Sequence, residues 1–291
     1  MSTDPKDLES GSHRDYADGA NGSTLSKQGT NTNELRQMLT NNTISDEQFE
    51  RLFLSPRNAD VAGNLRKTFA NPTPLAIMGF STALTPLAAE LIGWRGSGGS
   101  GQATVGASLW FGGMLLIFAG IGEFLLGNTF PFLVFMGYGA HFLTFATTFI
   151  PFFNAVSAYT DGTPYLGQAG ENQMLSAQFA ASYGFYPLSL CILSFIFLLC
   201  STRTNLFFFL IFVAATMGFG FASGSFWNVA NGNMALGQEF LVATGACFWA
   251  AAMLGWYLLL AIMIPVMELP IPSLPIVDLS TIVKPKRAKS Q

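Results

Sequence analysis

The stretch from residue 206 to residue 227 decides the fold, since it reads LFFFLIFVAATMGFGFASGSFW and contains no charged side chain. A helix needs about 20 predominantly apolar residues to cross the hydrocarbon of a bilayer. Membrane-spanning strands are instead shorter segments in which apolar and polar residues alternate. This stretch is long and does not alternate, so it predicts a transmembrane helix.

Five further apolar segments of similar length lie on either side of it. Together they predict an all-α membrane protein, built as a bundle of six transmembrane helices. Loops rich in Gly, Asn and Ser separate the segments, such as GSGGSG at 96–101 and GNT at 127–129, and Pro265 is predicted to stop the last helix. The predicted spans are 72–94, 104–126, 130–153, 177–200, 206–227 and 240–264.

The two ends of the chain are polar, in contrast to its middle. Residues 1–48 are rich in Ser, Thr, Asn, Asp and Gly, which predicts a disordered tail. Residues 49–71 mix Phe and Leu with charges, which predicts a juxtamembrane segment with short amphipathic helices. The transmembrane domain is predicted over 72–264 and a C-terminal tail over 265–291.

Positive charges predict the orientation in the membrane. Of the 14 Lys and Arg residues, only Arg95 and Arg203 lie between Thr68 and Val283. Cytosolic segments next to the spans carry an excess of Lys and Arg. Both termini are therefore predicted to be cytosolic, because the loops left outside then hold only Arg95. The inner segments hold Arg66, Lys67, Arg203, Lys284, Lys286, Arg287 and Lys289.

The sequence contains no pattern typical of an enzyme. It has no HExxH, no phosphate-binding loop and no Ser-x-x-Lys, and its formal net charge of −3 gives no indication of nucleic acid as a partner. Cys191, Cys200 and Cys247 lie in apolar runs without metal-ligand spacing. We therefore predict a channel, a carrier or a scaffold that needs no cofactor and no metal.

Ionisable residues inside spans are candidate functional residues, because a charge in lipid is costly. His141 lies near the middle of the third predicted span, where it acts either as a hydrogen-bonding strut between helices or as a pore-lining group. Glu90 and Glu123 lie near span ends, and Glu239 is predicted to lie just before the sixth span. Structural and functional roles both stay open for these three.

The first predicted span opens with Asn71-Pro72-Thr73-Pro74-Leu75. Proline is tolerated at a helix start because its missing N–H would have no intrahelical partner there. The free amides of a helix start also attract anions. The motif is therefore either a helix cap that fixes where the chain enters the membrane or a direct part of the substrate entrance.

Residues 71–80, NPTPLAIMGF, resemble the NPAPLGLxGF signature of the acetate uptake transporter family. This family includes bacterial succinate–acetate permeases and fungal acetate or ammonia transport outward proteins. Further likenesses are GNTF at 127–130, Tyr138-Gly139 in the third span and LPI at 274–276. They occur in the family's order, from about residue 66 to residue 279.

The resemblance implies a homohexamer in the plasma membrane, in which each subunit passes acetate and related short monocarboxylates. It also implies a narrow hydrophobic constriction made of a Phe, a Tyr and a Leu. Phe80 and Tyr138 match the first two. Val213 and Ala214 are the positions nearest to the Leu, and a smaller side chain there implies a wider constriction. No role for His141 is carried over from the family.

The neutral acid should pass an apolar constriction far more easily than the anion, so uptake as the neutral acid or with a proton is the leading mechanism. In this mechanism Phe80 supplies a wall, Tyr138 a wall and a hydroxyl, and Asn71 orients the entrance. Export of ammonia or ammonium is one alternative. A membrane scaffold or sensor that does not transport is the other.

Overall fold

The computed structural model describes residues 68–160 and 173–279, with side chains from residue 176 onward in the second range. The predictions for residues 1–48, for 49–67 of the juxtamembrane segment and for 280–291 of the C-terminal tail lie outside the described residues.

Six apolar helices account for most of the described chain, and each is long enough to cross a membrane. The predicted all-α, six-helix membrane architecture is therefore confirmed. The helices are α1 at Thr73–Ile92, α2 at Val105–Leu125, α3 at Thr129–Phe149, α4 at Gln173–Tyr183 and Phe185–Ser201, α5 at Leu206–Ala230, and α6 at Met234–Val266.

Four predicted boundaries differ from the structure by three residues or more. α4 begins at Gln173, four residues before its predicted start, and α5 ends at Ala230, three residues beyond its predicted end. α3 ends at Phe149, four residues before the predicted end, because the chain turns extended at Ile150 before Pro151 starts a short 3₁₀ turn. α6 begins at Met234, six residues before the predicted start, and runs to Val266, past Pro265. The prediction excluded this first part because it is polar, and Glu239 consequently lies inside α6.

Helix α4 is interrupted at Gly184, which separates its two parts. Pro187 has no N–H to bond the carbonyl four residues earlier, and this weakens the helix at that point. Side chains from α5 satisfy carbonyls beside the break: Ser223 Oγ donates to Gly184 O at 2.8 Å, and Trp227 Nε1 donates to Ala181 O at 3.2 Å. The break is thus a fixed feature held by α5.

The middle of α2 is a π-helix over Ser108–Leu115, which contains Gly112 and Gly113. π-Helices are rare and are frequently found at functional sites. Here the widened turn presents both glycines to α3, where their missing side chains make room for Phe142 and Leu143. The segment therefore serves a close approach of α2 to α3.

The helices pack side by side in the spatial order α3, α2, α1, α6, α5, α4, with close backbone approach at each of these contacts. Side chains of α3 also meet those of α4 and α5, as in the Tyr138–Ser194 and Tyr138–Phe212 contacts, but the backbones there come close at few points. Large side chains fill the space between them, and we call this space the aromatic gap.

Candidate substrate pathway in the aromatic gap

Tyr138 lies at the centre of the aromatic gap. Its hydroxyl shares a hydrogen bond of 2.9 Å with Ser194 Oγ of α4, and the tyrosine is only 5% exposed. Its ring is nearly parallel to those of Phe212 and Phe219 of α5, with centroid distances of 6.2 and 6.3 Å. Because Phe212 and Phe219 are two helical turns apart, they hold Tyr138 from both sides along the helix axis.

A small cavity lies between Tyr138 and the end of the bundle where α1 begins and α6 ends, which we call the terminal end. Its volume of about 10 Å³ leaves room for about one water molecule. Thr204 is the polar residue in its wall. The lining residues are Phe130, Pro131, Val134, Phe135, Thr204, Phe208 and Phe212.

His141 lies one turn from Tyr138, on the side away from the terminal end. Its Nδ1 is joined to the Tyr186 hydroxyl of α4 by a hydrogen bond of 2.9 Å. The imidazole also packs edge-on against Phe219 at 5.1 Å and lies near Phe142 and Phe145. His141 therefore bridges α3 and α4 and also borders the gap, which combines features of its two predicted roles.

A larger cavity opens at the opposite end of the bundle, the loop end, where the α3–α4 connection lies. We call it the vestibule, and its volume is about 460 Å³. Tyr186 is part of its wall, and the His141–Tyr186 hydrogen bond therefore lies between the vestibule and Tyr138. The lining residues are Thr148, Ala155, Ala158, Tyr159, Phe179, Ser182, Tyr183 and Tyr186.

The α3 side of this arrangement is one stripe of residues at helical spacing. Positions three or four apart in a helix lie on the same face, and the stripe extends from Phe130 to Thr148, a separation of 18 residue steps. At 1.5 Å per residue it is about 27 Å long, close to the thickness of the hydrocarbon layer. Its members are Phe130, Val134, Tyr138, His141, Phe145 and Thr148.

The other residues predicted for the constriction are Phe80, Val213 and Ala214. Phe80 packs against Gly255 of α6, where its ring carbons are 3.3 and 3.5 Å from the position of an added Cβ. Ala214 packs at the edge of the core, and Val213 is half-buried. Among the described residues, the ring contacts of Tyr138 are with Phe197, Phe212 and Phe219, and Phe80 is not one of them.

Asn71 belongs to a polar network at the terminal end. Its side-chain oxygen accepts a hydrogen bond from Thr73 N at 2.9 Å, so it caps α1. The Thr73 hydroxyl donates to Glu123 Oε1 at 2.6 Å, and Asn128 Nδ2 donates to Glu123 Oε2 at 2.5 Å. Glu123 is fully buried and thereby ties the start of α1 to the α2–α3 turn.

Glu90 has a similar position at the loop end. It accepts hydrogen bonds from Gly101 N at 2.7 Å and from the Thr104 hydroxyl at 2.8 Å. The glycine-rich loop at 96–101 is therefore attached to α1 at this point. These contacts favour a structural role for Glu90 and Glu123, whereas Glu239 is exposed on α6.

Several residues that border the gap were missed in the sequence analysis, namely Tyr183, Tyr186, Ser194, Phe197, Phe212 and Phe219. Their spacing could have indicated them, because Phe212 and Phe219 share one face of α5, and Tyr186 and Phe197 follow one face of α4. The described residues contain no group of three or more His, Cys, Asp or Glu that could hold a metal ion.

The fold and this site define a class of multi-pass membrane protein, in which six helices surround an aromatic gap with a cavity towards each end. Comparison with known sequences identifies the family. The sequence model of the GPR1/FUN34/yaaH family matches residues 53–275, and the chain belongs to this family. The predicted membership is thereby confirmed.

Individual relatives and a solved structure agree with this assignment. Protein alcS of Aspergillus fumigatus is 44% identical over 242 residues, which cover 83% of this chain and 86% of that protein. Ammonia transport outward protein 2 of Saccharomyces cerevisiae is 30% identical over 177 residues, which cover 60% of this chain and 57% of that protein. The structure of the bacterial acetate channel SatP superposes with a TM-score of 0.52 at 22% identity, covering 72% of this chain and 99% of that chain, and it shows the same fold.

Proposed function

We propose that this protein transports acetate and related short monocarboxylates across the plasma membrane, as the neutral acid or together with a proton. One observation carries the proposal: the vestibule, the His141–Tyr186 pair, Tyr138 and the terminal-end cavity follow one another along the aromatic gap. We call this series the row. The likeness to the acetate channel SatP and the signature at residues 71–80 support it.

The chemistry of this row favours a small solute that carries little charge. Its described lining consists of aromatic rings, aliphatic side chains and hydroxyls, and His141 is the one ionisable group besides the tyrosines. An anion would exchange its hydration for hydroxyl donors alone, which is costly in a water-poor constriction. A neutral acid of two or three carbons needs only one or two hydrogen bonds, which Tyr138 and Ser194 can provide.

Within this proposal Tyr138 is the gate, and Phe80 acts on it through the packing of α1 against α6. In it, Val213 and Ala214 of α5 are the positions nearest to the leucine of the family's constriction, Asn71 fixes the entrance of α1, and His141 borders the path. The positive-inside rule supports a vestibule open to the outside and cytosolic termini. The family resemblance supports a homohexamer in the lipid bilayer, in which each subunit has its own path.

The decisive experiment measures the flux of labelled acetate into vesicles that contain the purified protein. Because acetic acid crosses lipid by itself, the assay is run near pH 7, where little of an acid that ionises near pH 4 is neutral. Protein-free vesicles give the background. We expect flux above background that increases when the outside is made more acidic. Flux equal to background, with the protein shown to be inserted, would refute the proposal.

Ammonia export is the second candidate, and the likeness to ammonia transport outward protein 2 favours it. Ammonia is also small and neutral, so the same constriction suits it. The same vesicles, loaded with ammonium salt and a pH-sensitive dye, distinguish the two. Each NH3 molecule that leaves the vesicle leaves one proton of NH4+ behind, so acidification of the lumen without acetate flux would favour ammonia. The absence of both fluxes would favour a scaffold or sensor.

A further inference from the structure

The chain that follows α6 returns to the terminal end of the bundle and pairs with the loop between α4 and α5. Leu206 N donates to Val277 O at 2.9 Å, and Leu279 N donates to Thr204 O at 2.9 Å. Both bonds join backbone atoms, so the pairing holds the two segments in one register. This segment is therefore part of the folded bundle, and we call residues 274–279 the strap.

Two side-chain contacts hold the strap against the other helices. The Tyr257 hydroxyl of α6 donates to Pro275 O at 3.0 Å, and the Tyr257 ring stacks on Phe207 of α5 at a centroid distance of 4.4 Å. Ile276 packs against a buried apolar cluster of α1 and α6. The members of this cluster are Ile77, Leu258 and Ile262. The strap is thus attached to the α4–α5 loop by its backbone and to α1 and α6 by side-chain contacts.

Two residues that the strap holds in place also line the terminal-end cavity. Thr204, whose carbonyl accepts the bond from Leu279 N, is the polar residue in the cavity wall. Phe208 lines the same cavity and packs on the same buried cluster as Ile276. Asn205 joins the two, because its side-chain oxygen accepts a hydrogen bond from Phe208 N at 2.9 Å and so caps α5. The position of the strap therefore determines the position of the α5 side of the cavity.

The terminal-end cavity must widen before a carboxylic acid can pass, because a volume of about 10 Å³ leaves room for roughly one water molecule. Its α3 side has little freedom, since Asn128 at the start of α3 is bonded to the buried Glu123. The strap is attached less firmly, because Pro275 and Val277 are exposed. A segment with few buried apolar contacts opens locally at low cost. The α5 side is therefore the side that can yield.

We propose that the strap is a cytosolic gate of the transport path, with Tyr257 and Ile276 as the residues that position it. While the strap is paired with the α4–α5 loop, Thr204 and Phe208 close the terminal-end cavity. When the strap lifts, the loop is released, the cavity widens, and the solute passes between the cavity and the cytosol. This inference rests on the proposed function, and it adds a second closure to the one at Tyr138.

The first test measures opening of the cavity without measuring transport. In the full-length protein with its three cysteines replaced by Ala, Thr204→Cys places a single thiol in the cavity wall. Its rate of reaction with a water-soluble maleimide is measured in nanodiscs. Ile276→Ala removes packing of the strap, and we expect labelling to be about 3- to 10-fold faster. Ile271→Ala is the matched control, because Ile271 is exposed in the same C-terminal segment, and it should leave the rate unchanged. Equal labelling rates with and without Ile276→Ala would overturn the gate.

Tyr257→Phe provides the same labelling test if Ile276→Ala does not fold. It keeps the ring that stacks on Phe207 and removes only the hydrogen bond to Pro275 O. Loss of one hydrogen bond should make labelling at position 204 about 3- to 10-fold faster. A folded Tyr257→Phe protein that labels at the parent rate would show that the strap is not positioned in this way.

A reversible cross-link tests whether transport requires the strap to lift. Asn205 and Asp278 form an antiparallel bridge that the two backbone bonds flank. In such a pair the Cα atoms are about 4.5 Å apart, which suits a disulfide. Asn205→Cys combined with Asp278→Cys, in the protein that lacks the native cysteines, is therefore expected to form a disulfide on oxidation. The same preparation is assayed before and after reduction, so that loss of the Asn205 cap affects both measurements equally.

We expect acetate flux to fall to the level of protein-free vesicles in the oxidised protein and to return on reduction. Each single-cysteine variant cannot form the cross-link and should respond to neither treatment. Flux that is the same in the oxidised and reduced double variant would refute the strap gate alone. Labelling that depends on the strap, without acetate flux in the parent protein, would keep the gate and refute acetate transport.

Discussion

Helix α3 packs in two different ways on its two faces. Towards α2, glycines bring the backbones together: a Cβ on Gly139 would lie 2.9 Å from Ile117 Cγ1 and 3.2 Å from Gly113 O. Towards α4, Gly137 has no such neighbour, since a Cβ there would be 3.7 Å from Leu193 Cδ2. Close contact of small residues holds one face, and aromatic side chains fill the other.

This difference between the two faces of α3 indicates on which face a passing solute can be accommodated. Backbones in direct contact cannot separate locally without moving a whole helix, whereas an aromatic ring can change its rotamer. The hydrogen bonds on the aromatic side also join single side chains, as in Tyr138–Ser194 and His141–Tyr186. We therefore expect substitutions on the α2 face to affect folding and substitutions on the aromatic face to affect transport.

The largest effect should follow from Gly112→Val. A Cβ at Gly112 would lie within 2.9 Å of Phe142, which is itself only 2% exposed and has little room to move. Overpacking of this kind costs about 1–3 kcal/mol or more, and we expect most of the folded protein to be lost. Size-exclusion chromatography of a fluorescent fusion measures this directly.

Gly137→Ala is the control for that experiment, because it adds a methyl group to the opposite face of α3 at ordinary contact distance. It should give a monodisperse peak close to that of wild type. Equal losses for Gly112→Val and Gly137→Ala would remove the distinction between the two faces.

The next effect concerns the polar network that fixes the α2–α3 turn. Glu123→Ala leaves Thr73 and Asn128 without the carboxylate that joins them, so we expect a loss of about 2–4 kcal/mol and a clear drop in melting temperature. Differential scanning fluorimetry in detergent measures it. Glu239→Ala is the control, because it removes an exposed carboxylate and should leave the melting temperature unchanged. Equal shifts of the melting temperature in the two variants would show that the network around Glu123 contributes nothing specific to stability.

The structure also shows which parts of the molecule could be predicted from the sequence. The number and approximate bounds of the helices follow from long apolar runs, since a bilayer imposes length and composition. The start of α6 was missed because Gln238 and Glu239 lower the local hydropathy, although nothing else there stops a helix. The contact of Glu123 with Thr73 links positions 50 residues apart, and those of Glu90 cross the α1–α2 loop, so no helical or strand periodicity indicates them.

The candidate pathway could be predicted only in part. Tyr138 and His141 stand out as polar groups in an apolar span, but Phe212 and Phe219 are two among 28 phenylalanines. Which of these rings meet depends on the rotation of α5 relative to α3. The family resemblance supplied Phe80 and Tyr138, yet it gave no indication of Tyr183 or Tyr186, whose position depends on the break in α4.

A moderate effect is expected at the gate itself. Tyr138→Ala removes the ring between Phe212 and Phe219, which opens the constriction and weakens selection by size. We expect the ratio of butyrate flux to acetate flux to rise several-fold, compared at matched amounts of inserted protein. Phe80→Ala should change this ratio in the same direction but less, because Phe80 packs against Gly255 rather than on the Tyr138 ring. Unchanged ratios in both variants would show that the gate is elsewhere.

The smallest effect is expected from His141→Gln. In the structure, the described contacts of the His141 imidazole are the Tyr186 hydroxyl and the rings of Phe142, Phe145, Phe219 and Tyr186. None of these groups would balance a positive charge. A charged imidazolium is costly in such surroundings, so the histidine should act as a neutral hydrogen-bonding strut. Glutamine keeps a donor and an acceptor but cannot become charged.

Acetate flux by His141→Gln should therefore follow the wild-type pH profile from mildly acidic to neutral pH, at matched amounts of inserted protein. His141→Leu is the informative companion, because it removes the bond to Tyr186 as well as the ionisable group. It should lower flux at every pH without changing the shape of the profile. A flattened profile in His141→Gln would show instead that protonation of this side chain controls transport, and the aromatic gap would then have to admit water as far as His141.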